Sequence, residues 1–246
     1  MFRRRRHEIP ERIRAAAPGA APLQGRPVTD EEGATVAWIV DHGGRRAREL
    51  WQSSAEAFRA TGLWPVLVQR GEYRPQFLGA TPPSDRDPEG VLRELWAAGL
   101  PGTAEELAPF GREFPGLGRG GDRRADHPFE AAMRKMYGFS GVLLVPVTRP
   151  ADVIAATGWA GARDAAALSA VLRSWEDRYH ATLVGMSMDQ LFLAVRRPPK
   201  GHDAALRLAS EQYALCVDVV EQGFGSIRAL AAALDGAAAW TFWWGW

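Results

Sequence analysis

The sequence has few of the features that build disulfides, thiolate metal sites or membrane spans. Its 246 residues include one cysteine, Cys216. A single cysteine excludes a disulfide within the chain and a zinc site made of several thiolates. No run approaches about 18 uninterrupted apolar residues, so we expect no membrane-spanning helix. Arg3–Arg6 are not followed by the apolar stretch of a secretory signal. Together these absences predict a cytoplasmic protein without membrane contact.

Charge is almost balanced over the whole chain but is unevenly distributed along it. The formal net charge is +1 at pH 7. Residues 1–14 hold six arginines and two glutamates, a net charge of +4, which leaves −3 for the rest of the chain. A body without excess positive charge gives no general field for nucleic acid. We expect nucleic-acid contact only through the arm that holds Arg3, Arg4, Arg5 and Arg6, and we prefer to interpret that arm as a solvated terminus.

Composition divides the chain into four predicted segments. Residues 1–33 are rich in Arg, Ala, Pro and Gly without periodicity, which predicts a disordered basic arm. Residues 34–110 are predicted to form an N-terminal α/β portion. Gly, Pro and Arg dominate residues 111–138, which is typical of a linker or a mobile lid. Residues 139–246 are predicted to form a C-terminal α+β domain.

Apolar periodicity predicts the elements of the N-terminal portion, where order is expected to begin near Ala34. Thr35–Val40 is β-branched and apolar, as expected of a buried strand. Residues 45–60 place apolar side chains on one helical face, and Gly62 is suited to end that helix in a left-handed conformation. A second strand is expected at Trp64–Gln69, and Pro88–Ala98 is expected to be a short helix.

The C-terminal segment alternates strand and helix signals. Asp164, Asp203 and Ser226 are N-cap candidates, because their side chains accept hydrogen bonds from the free N–H groups at a helix start. The order β-α-α-β-β-α-α-β predicts an α+β fold with small mixed sheets covered by helices. The expected elements are strands at Gly141–Val147, Thr182–Met186, Gln190–Val195 and Trp240–Trp244, and helices at Pro150–Thr157, Asp164–Tyr179, Asp203 to about Glu221 and Ser226–Leu234.

Two stretches of the C-terminal segment are distinctive in combination. They are Leu172–Arg178, which reads Leu-Arg-Ser-Trp-Glu-Asp-Arg, and Trp240–Trp244, which reads Trp-Thr-Phe-Trp-Trp. Supporting stretches are Leu144–Val147, Arg149–Asp152, Gly158–Gly161, Val195–Pro199, Glu211–Asp218 and, upstream, Thr61–Pro65. Together they resemble an uncharacterised actinobacterial family known only as a domain of unknown function. The resemblance implies the extent of a domain and a cytoplasmic setting, and it supplies no catalytic residue.

The sequence departs from the pattern of that family at three places. His180 stands where the family tends to have a glycine, and a left-handed backbone there would cost about 1 kcal/mol. Gln212 stands in place of a histidine, and Gly245 stands in place of an aspartate. If those groups are catalytic in relatives, this chain is inactive, and reverting Gln212→His together with Gly245→Asp would restore activity.

Two glycine-containing motifs have ordinary explanations. Residues 116–121 fit G-x-G-x-x-G, but neither the preceding strand nor the following helix of a dinucleotide site is expected there. We therefore reject that site and expect no cofactor. Residues 41–46 lie between a strand and a helix and would offer N–H groups and two arginines to an anion. We prefer to interpret them as a plain βα turn.

Carboxylates on one predicted helix are the best candidates for chemistry. Glu211 and Asp218 are seven positions apart and would share a helix face, where they would hold a metal or exchange a proton. The alternative is a solvated face with an ion pair between Arg207 and Glu211. The candidate partners of the two carboxylates are Glu176, Arg178 and His180. We assign no residue as a metal ligand. Cys216 is expected to be a small core residue.

Tryptophan is concentrated near the C-terminus. Trp243 and Trp244 are adjacent on a predicted strand and therefore face opposite sides. If one of them is exposed near Trp246, it would be a binding hot spot. Burial of both faces in a two-sided sheet explains the pattern equally well. The candidate binding residues are Trp175, Glu176, Arg178, Glu211, Asp218, Trp243, Trp244 and Trp246.

These observations favour a non-catalytic binding or protein-interaction module in a regulatory or immunity-like setting. The partner expected first is a protein. The alternative is a small hydrolase or metal-assisted enzyme that uses the Glu211/Asp218 face. A third interpretation is nucleic-acid binding through the arm, which would show steep salt dependence.

Overall fold

The structure is a computed structural model that describes residues 25–41, 44–69, 71–82, 85–99, 105, 107–161 and 164–245. The four arginines of the predicted arm lie outside these residues, and so does Trp246. The described residues form helices together with strands that pair both antiparallel and parallel. This confirms the predicted α+β class with mixed pairing. The division of the chain into four predicted segments stays a prediction.

The described part of the chain contains seven strands. They are β1 (Arg26–Thr29), β2 (Thr35–Asp41), β3 (Leu63–Gln69), β4 (Phe139–Pro146), β5 (Ala181–Met186), β6 (Gln190–Val195) and β7 (Ala239–Trp243). Strand β1 lies in the predicted arm and pairs antiparallel with β2, with Arg26 opposite Ile39. The expectation that order begins near Ala34 is therefore wrong.

The helices are short, and most of them lie where the apolar periodicity predicted them. They are α1 (Gly44–Glu56), α2 (Phe58–Thr61), α3 (Pro88–Ala98), α4 (Pro128–Met133), α5 (Val153–Thr157), α6 (Ala165–Tyr179), α7 (His202–Leu215) and α8 (Ile227–Leu234). Three-residue 3₁₀ turns lie at Gly71–Tyr73 and Pro150–Asp152, and a π-helical segment spans Val219–Phe224. No described helix is long and apolar enough to cross a bilayer.

The structure tests the residues that were predicted to begin or end helices. Gly62 ends α2 with φ 65°, as its lack of a Cβ predicts. The side chain of Asp164 accepts from Ala167 N, and that of Ser226 accepts from Ala229 N, which confirms both N-caps. Asp203 is not a cap, because Gly201 occupies that position and α7 begins at His202.

The chain divides into two compact units. The described residues within 1–83, 136–169 and 183–189 belong to the first. Its strands lie in the order β1-β2-β4-β3-β5, antiparallel except for the pairing of β3 with β5. Parallel pairing joins Leu67 and Val68 of β3 to β5, beyond Pro65, which has no N–H to donate. Helix α1 packs on β3 and β4, where Trp51 meets Trp64 edge to face at 5.7 Å.

The described residues within 84–135, 170–182 and 190–246 belong to the second unit. Strands β6 and β7 pair antiparallel, with Gln190 opposite Trp243, and α4 contacts both. Helix α7 packs against α3 and α8. The core of this unit is aromatic, since the Trp175 ring stacks on Phe242 at 5.3 Å and meets Trp240 edge to face at 5.6 Å.

Candidate functional site

The second unit has a buried ion pair at its polar centre. Arg178 lies in the last turn of α6, and Glu211 lies in the third turn of α7. Arg178 donates to both oxygens of Glu211, at 2.8 Å to Oε1 and 2.5 Å to Oε2. The Glu211 side chain is 0% exposed and that of Arg178 is 18% exposed. A buried carboxylate of this kind is held in place by its partner and by its other hydrogen bonds.

The remaining acceptor positions of Glu211 are filled as well. Oε1 also accepts from the backbone N–H of Gly118 at 2.7 Å, and Oε2 accepts from the indole N–H of Trp175 at 2.7 Å. Arg178 in turn donates to the Gly118 carbonyl at 2.6 Å. We call Trp175, Arg178 and Glu211 the clamp, because together they hold both polar groups of one backbone residue.

The clamp holds a glycine-rich segment, residues 116–121, which we call the strap. A Cβ on Gly118 would lie 2.6 Å from the Tyr179 hydroxyl oxygen, closer than side chains approach. A Cβ on Gly120 would collide with the Arg178 carbonyl oxygen, and one on Gly121 would lie 2.8 Å from the Pro198 carbonyl oxygen. Close packing of the strap therefore explains Gly118 and Gly121 of the G-x-G-x-x-G pattern, whereas Gly116 has φ 82°, a backbone conformation that favours glycine.

The protonation states of Arg178 and Tyr179 follow from their surroundings in and next to the clamp. Burial lowers the pKa of Arg178, but the hydrogen bond and the negative charge of Glu211 outweigh it, so the pKa is raised overall. Burial, followed by the charge of Glu211, raises the pKa of Tyr179. Arg178 is consequently a cation and Tyr179 is neutral across the physiological pH range.

From the end of the strap onward, two short segments of the second unit run side by side, the first of which begins at Arg119 within the strap. Backbone hydrogen bonds join Gly121 N to Pro198 O at 2.9 Å and Ala125 N to Arg196 O at 2.8 Å. Residues 119–125 are thereby placed against residues 196–200. Their cationic side chains, which we call the basic ridge, are Arg119, Arg123, Arg124, Arg196, Arg197 and Lys200. All six except the half-buried Arg197 are exposed.

In the part of the chain that the structure describes, the cations of the basic ridge are not engaged in ion pairs. None of its six cations forms an ion pair with an acidic side chain among the described residues. Its field is felt by His180, whose pKa is lowered first by burial and then by the charges of Arg197, Arg124 and Arg196. His180 has φ 49°, so it takes the left-handed conformation expected where the family tends to have glycine.

A groove of about 630 Å³ lies at one end of the basic ridge. Arg119 and Lys200 line it together with Arg207, whose guanidinium donates to the Pro115 carbonyl. The acidic residue in its wall is Asp203. The predicted pairing of Arg207 with Glu211 on a solvated face is therefore wrong, since Glu211 is buried in the clamp.

Glu211 and Asp218 do not share a helix face. Helix α7 ends at Leu215, before the predicted end near Glu221, and Asp218 follows in a separate turn. Oδ1 of Asp218 accepts from Gln222 at 2.6 Å, and Oδ2 accepts from the backbone N–H of Gly245 at 2.9 Å. The two carboxylates are thus engaged by different partners.

Cys216 is a core residue, as predicted. Its thiol is buried and donates to the Trp243 carbonyl at 2.9 Å. Burial raises the pKa of Cys216 to about 12, which keeps the thiol protonated at neutral pH. A protonated, buried thiol is a poor nucleophile.

The remaining predicted binding residues that the structure describes are buried or half-buried. Trp240 is buried against Trp175 and Tyr179, whereas Trp243, Trp244 and Glu176 are half-buried. The large apolar side chains that the structure leaves exposed are Tyr73, Leu78, Tyr137 and Phe224. A binding role for the tryptophans stays a prediction.

Sequence reasoning missed the basic ridge. Its signal was present as two arginine pairs, Arg123-Arg124 and Arg196-Arg197, each close to a proline or glycine run. The two pairs are far apart in the chain, and only the backbone pairing of the two segments brings them together. Within the described residues, no group of three His, Cys, Asp or Glu side chains is placed to hold a metal ion.

Comparison with known proteins gives a family match for part of the chain. A family model described as "Domain of unknown function (DUF4253)" matches residues 141–245. This match confirms the resemblance seen in the motifs of the C-terminal segment. No curated protein and no solved structure matches the chain. The matched range includes Arg178 and Glu211 of the clamp, whereas the strap precedes it.

Proposed function

We propose that this protein, whose residues 141–245 match the DUF4253 family model, is a non-catalytic binding module that takes up an oppositely charged partner on the basic ridge. The partner expected first is a protein. The proposal rests on one observation. Six cations lie on two adjacent segments, and none of them forms an ion pair with an acidic side chain among the described residues. Like charges held close together repel over about 10 Å at ordinary salt concentration. An anionic partner would relieve that repulsion, which favours association.

The hydrolase alternative has less support from the geometry. A general base must reach the proton that it removes, but the carboxylate of Glu211 already accepts four hydrogen bonds. Asp218 is bonded to Gln222 and to the backbone of Gly245. Both carboxylates have defined structural partners, so a structural role accounts for them without chemistry.

The clamp also explains how the basic ridge keeps its shape. Arg119 directly follows Gly118, whose N–H and C=O are both held by the clamp. Gly121 and Ala125 then bond to the second segment of the ridge. The cations are therefore presented on a backbone fixed at several points, which lowers the conformational entropy lost on binding.

Charge removal at the ridge tests the proposal. The variant Arg124→Ala/Arg196→Ala/Lys200→Ala removes three ridge cations, and the control Arg46→Ala/Arg48→Ala/Arg59→Ala removes three exposed cations elsewhere. Retention on a heparin column, a general polyanion, is measured against salt concentration. We expect the control to elute with the wild type and the ridge variant to elute at clearly lower salt. Equal shifts in both variants would contradict a role for the ridge.

Comparison of Glu211→Gln with the ridge variant addresses the hydrolase alternative. If a screened hydrolytic activity disappears in Glu211→Gln but persists in the ridge variant, the enzyme interpretation is favoured over the binding module. Thermal unfolding of each variant shows whether a lost activity reflects loss of the fold.

A further inference from the structure

We propose that the partner of the basic ridge is an extended acidic segment of a protein rather than a nucleic acid. This inference rests on the proposed function and goes beyond it by naming the partner's chemistry. The two ridge segments are irregular and lie side by side. Seven residues, 119–125, span at most roughly 23 Å when extended. That length fits a partner segment of about seven extended residues.

The distribution of charge on the ridge favours carboxylates. Acidic residues are interspersed with its cations, since Asp122 is exposed beside Arg123 and Asp203 lines the groove beside Lys200. A phosphate backbone carries charge at every nucleotide and would meet these carboxylates in any register. An acidic protein segment can place neutral or basic side chains opposite them, so a protein fits this pattern better.

The apolar surface of the described residues also argues against single-stranded nucleic acid. Proteins that bind single strands without sequence preference combine a basic groove with aromatic side chains on which bases stack. The large apolar side chains that the described residues expose are Tyr73, Leu78, Tyr137 and Phe224. None of these belongs to either ridge segment. The ridge therefore offers charge without a stacking platform.

Direct comparison of probes tests the inference. A fluorescein-labelled peptide of about 12 glutamates is titrated against the full-length protein, and a thymidine single strand and a DNA duplex of matched charge are titrated in parallel. Fluorescence anisotropy gives each affinity at low and at physiological salt. We expect the peptide to bind at least about tenfold more tightly than either DNA, a difference of about 1.4 kcal/mol.

The ridge variant and its control complete the test. Arg124→Ala/Arg196→Ala/Lys200→Ala should lose at least about tenfold in peptide affinity, and Arg46→Ala/Arg48→Ala/Arg59→Ala should retain wild-type affinity. If DNA binds as tightly as the peptide or more tightly, the inference about the partner fails while the ridge remains a binding surface. If the protein binds none of the probes, the proposed function fails as well. Equal unfolding temperatures of the two variants exclude loss of the fold as the cause.

Discussion

Arg178 and Glu211 lie 33 positions apart in the chain and form two side-chain hydrogen bonds, of 2.8 and 2.5 Å, at the centre of the second unit. Through Gly118 the same pair holds the strap that leads into the basic ridge. The stability of the domain and the geometry of its proposed binding surface therefore depend on one ion pair.

Glu211→Gln should strongly destabilise the protein, because it leaves the Arg178 guanidinium buried without a counter-charge. Removal of one member of a buried pair costs about 3–5 kcal/mol, and we expect the lower end because Arg178 is partly exposed. Urea denaturation measures the loss. The control is Glu94→Gln, whose exposed pair with Arg86 should change stability by about 0.5 kcal/mol or less. Equal effects in both variants would contradict the assigned role of the clamp.

Gly118→Ala should loosen the strap without removing a charged group. The added Cβ would lie 2.6 Å from the Tyr179 hydroxyl and 3.3 Å from the Ala204 carbonyl. Overpacking of this kind costs about 1–3 kcal/mol. Hydrogen exchange of the amides at 118–125 should accelerate. Gly90→Ala in α3 is the control, since its Cβ would meet the N-cap side chain of Asp87, with Oδ2 3.2 Å away, and no residue of the strap, while alanine favours a helix. If exchange at the strap is unchanged in Gly118→Ala, the packing argument fails.

His180→Gly should raise stability, because a left-handed backbone costs an L-residue about 1 kcal/mol. A second effect depends on pH. The pKa of His180 is lowered in the folded protein, so protonation of its imidazole favours unfolding. The stability that the neutral imidazole contributes is present above the ordinary pKa near 6.5, and it is lost as the pH falls through the lower folded value. Urea denaturation across this range should show a shallower acid-side decline in His180→Gly. His180→Asn separates the two effects, since Asn tolerates left-handed backbone and does not titrate. An unchanged acid-side slope in both variants would contradict the assignment.

Cys216 should resist thiol reagents until the protein unfolds. With a pKa raised from 9.0 to about 12, its thiolate fraction at pH 8 is about 1,000-fold lower than that of an unperturbed thiol. Ellman's reagent should therefore react slowly with the native protein and quickly in guanidinium chloride. Rapid labelling of the native protein would contradict both the burial of the thiol and its raised pKa.

The sequence pattern predicted most elements because their signals are local. The N-caps Asp164 and Ser226 and the C-terminal Gly62 act within one turn of chain. Asp203 was misassigned because the N-cap is Gly201, two residues earlier, and the helix already begins at His202. The predicted helix past Cys216 failed because the chain leaves α7 at Leu215 and forms a π-helical segment after Asp218.

The candidate site was harder to predict because its contacts are not local. Glu211 looked like a solvated residue paired with Arg207 on the same helix, since four-residue spacing favours that pair. In the structure it is buried by Arg178, Trp175 and Gly118, which come from distant parts of the chain. The basic ridge likewise depends on tertiary pairing of two arginine-rich segments that the sequence presents separately.

Nuclear magnetic resonance mapping tests the central claim most directly, because it locates the surface that a partner uses. The protein labelled with ¹⁵N is titrated with the acidic peptide, and shifts of backbone amide signals are followed. We expect the largest shifts at residues 119–125, 196–197 and 200–202, with saturation at the affinity measured by anisotropy. Shifts centred on Trp243 and Trp244 or on Tyr73 and Tyr137, or no shifts at all, would contradict the assignment of the basic ridge as the binding surface.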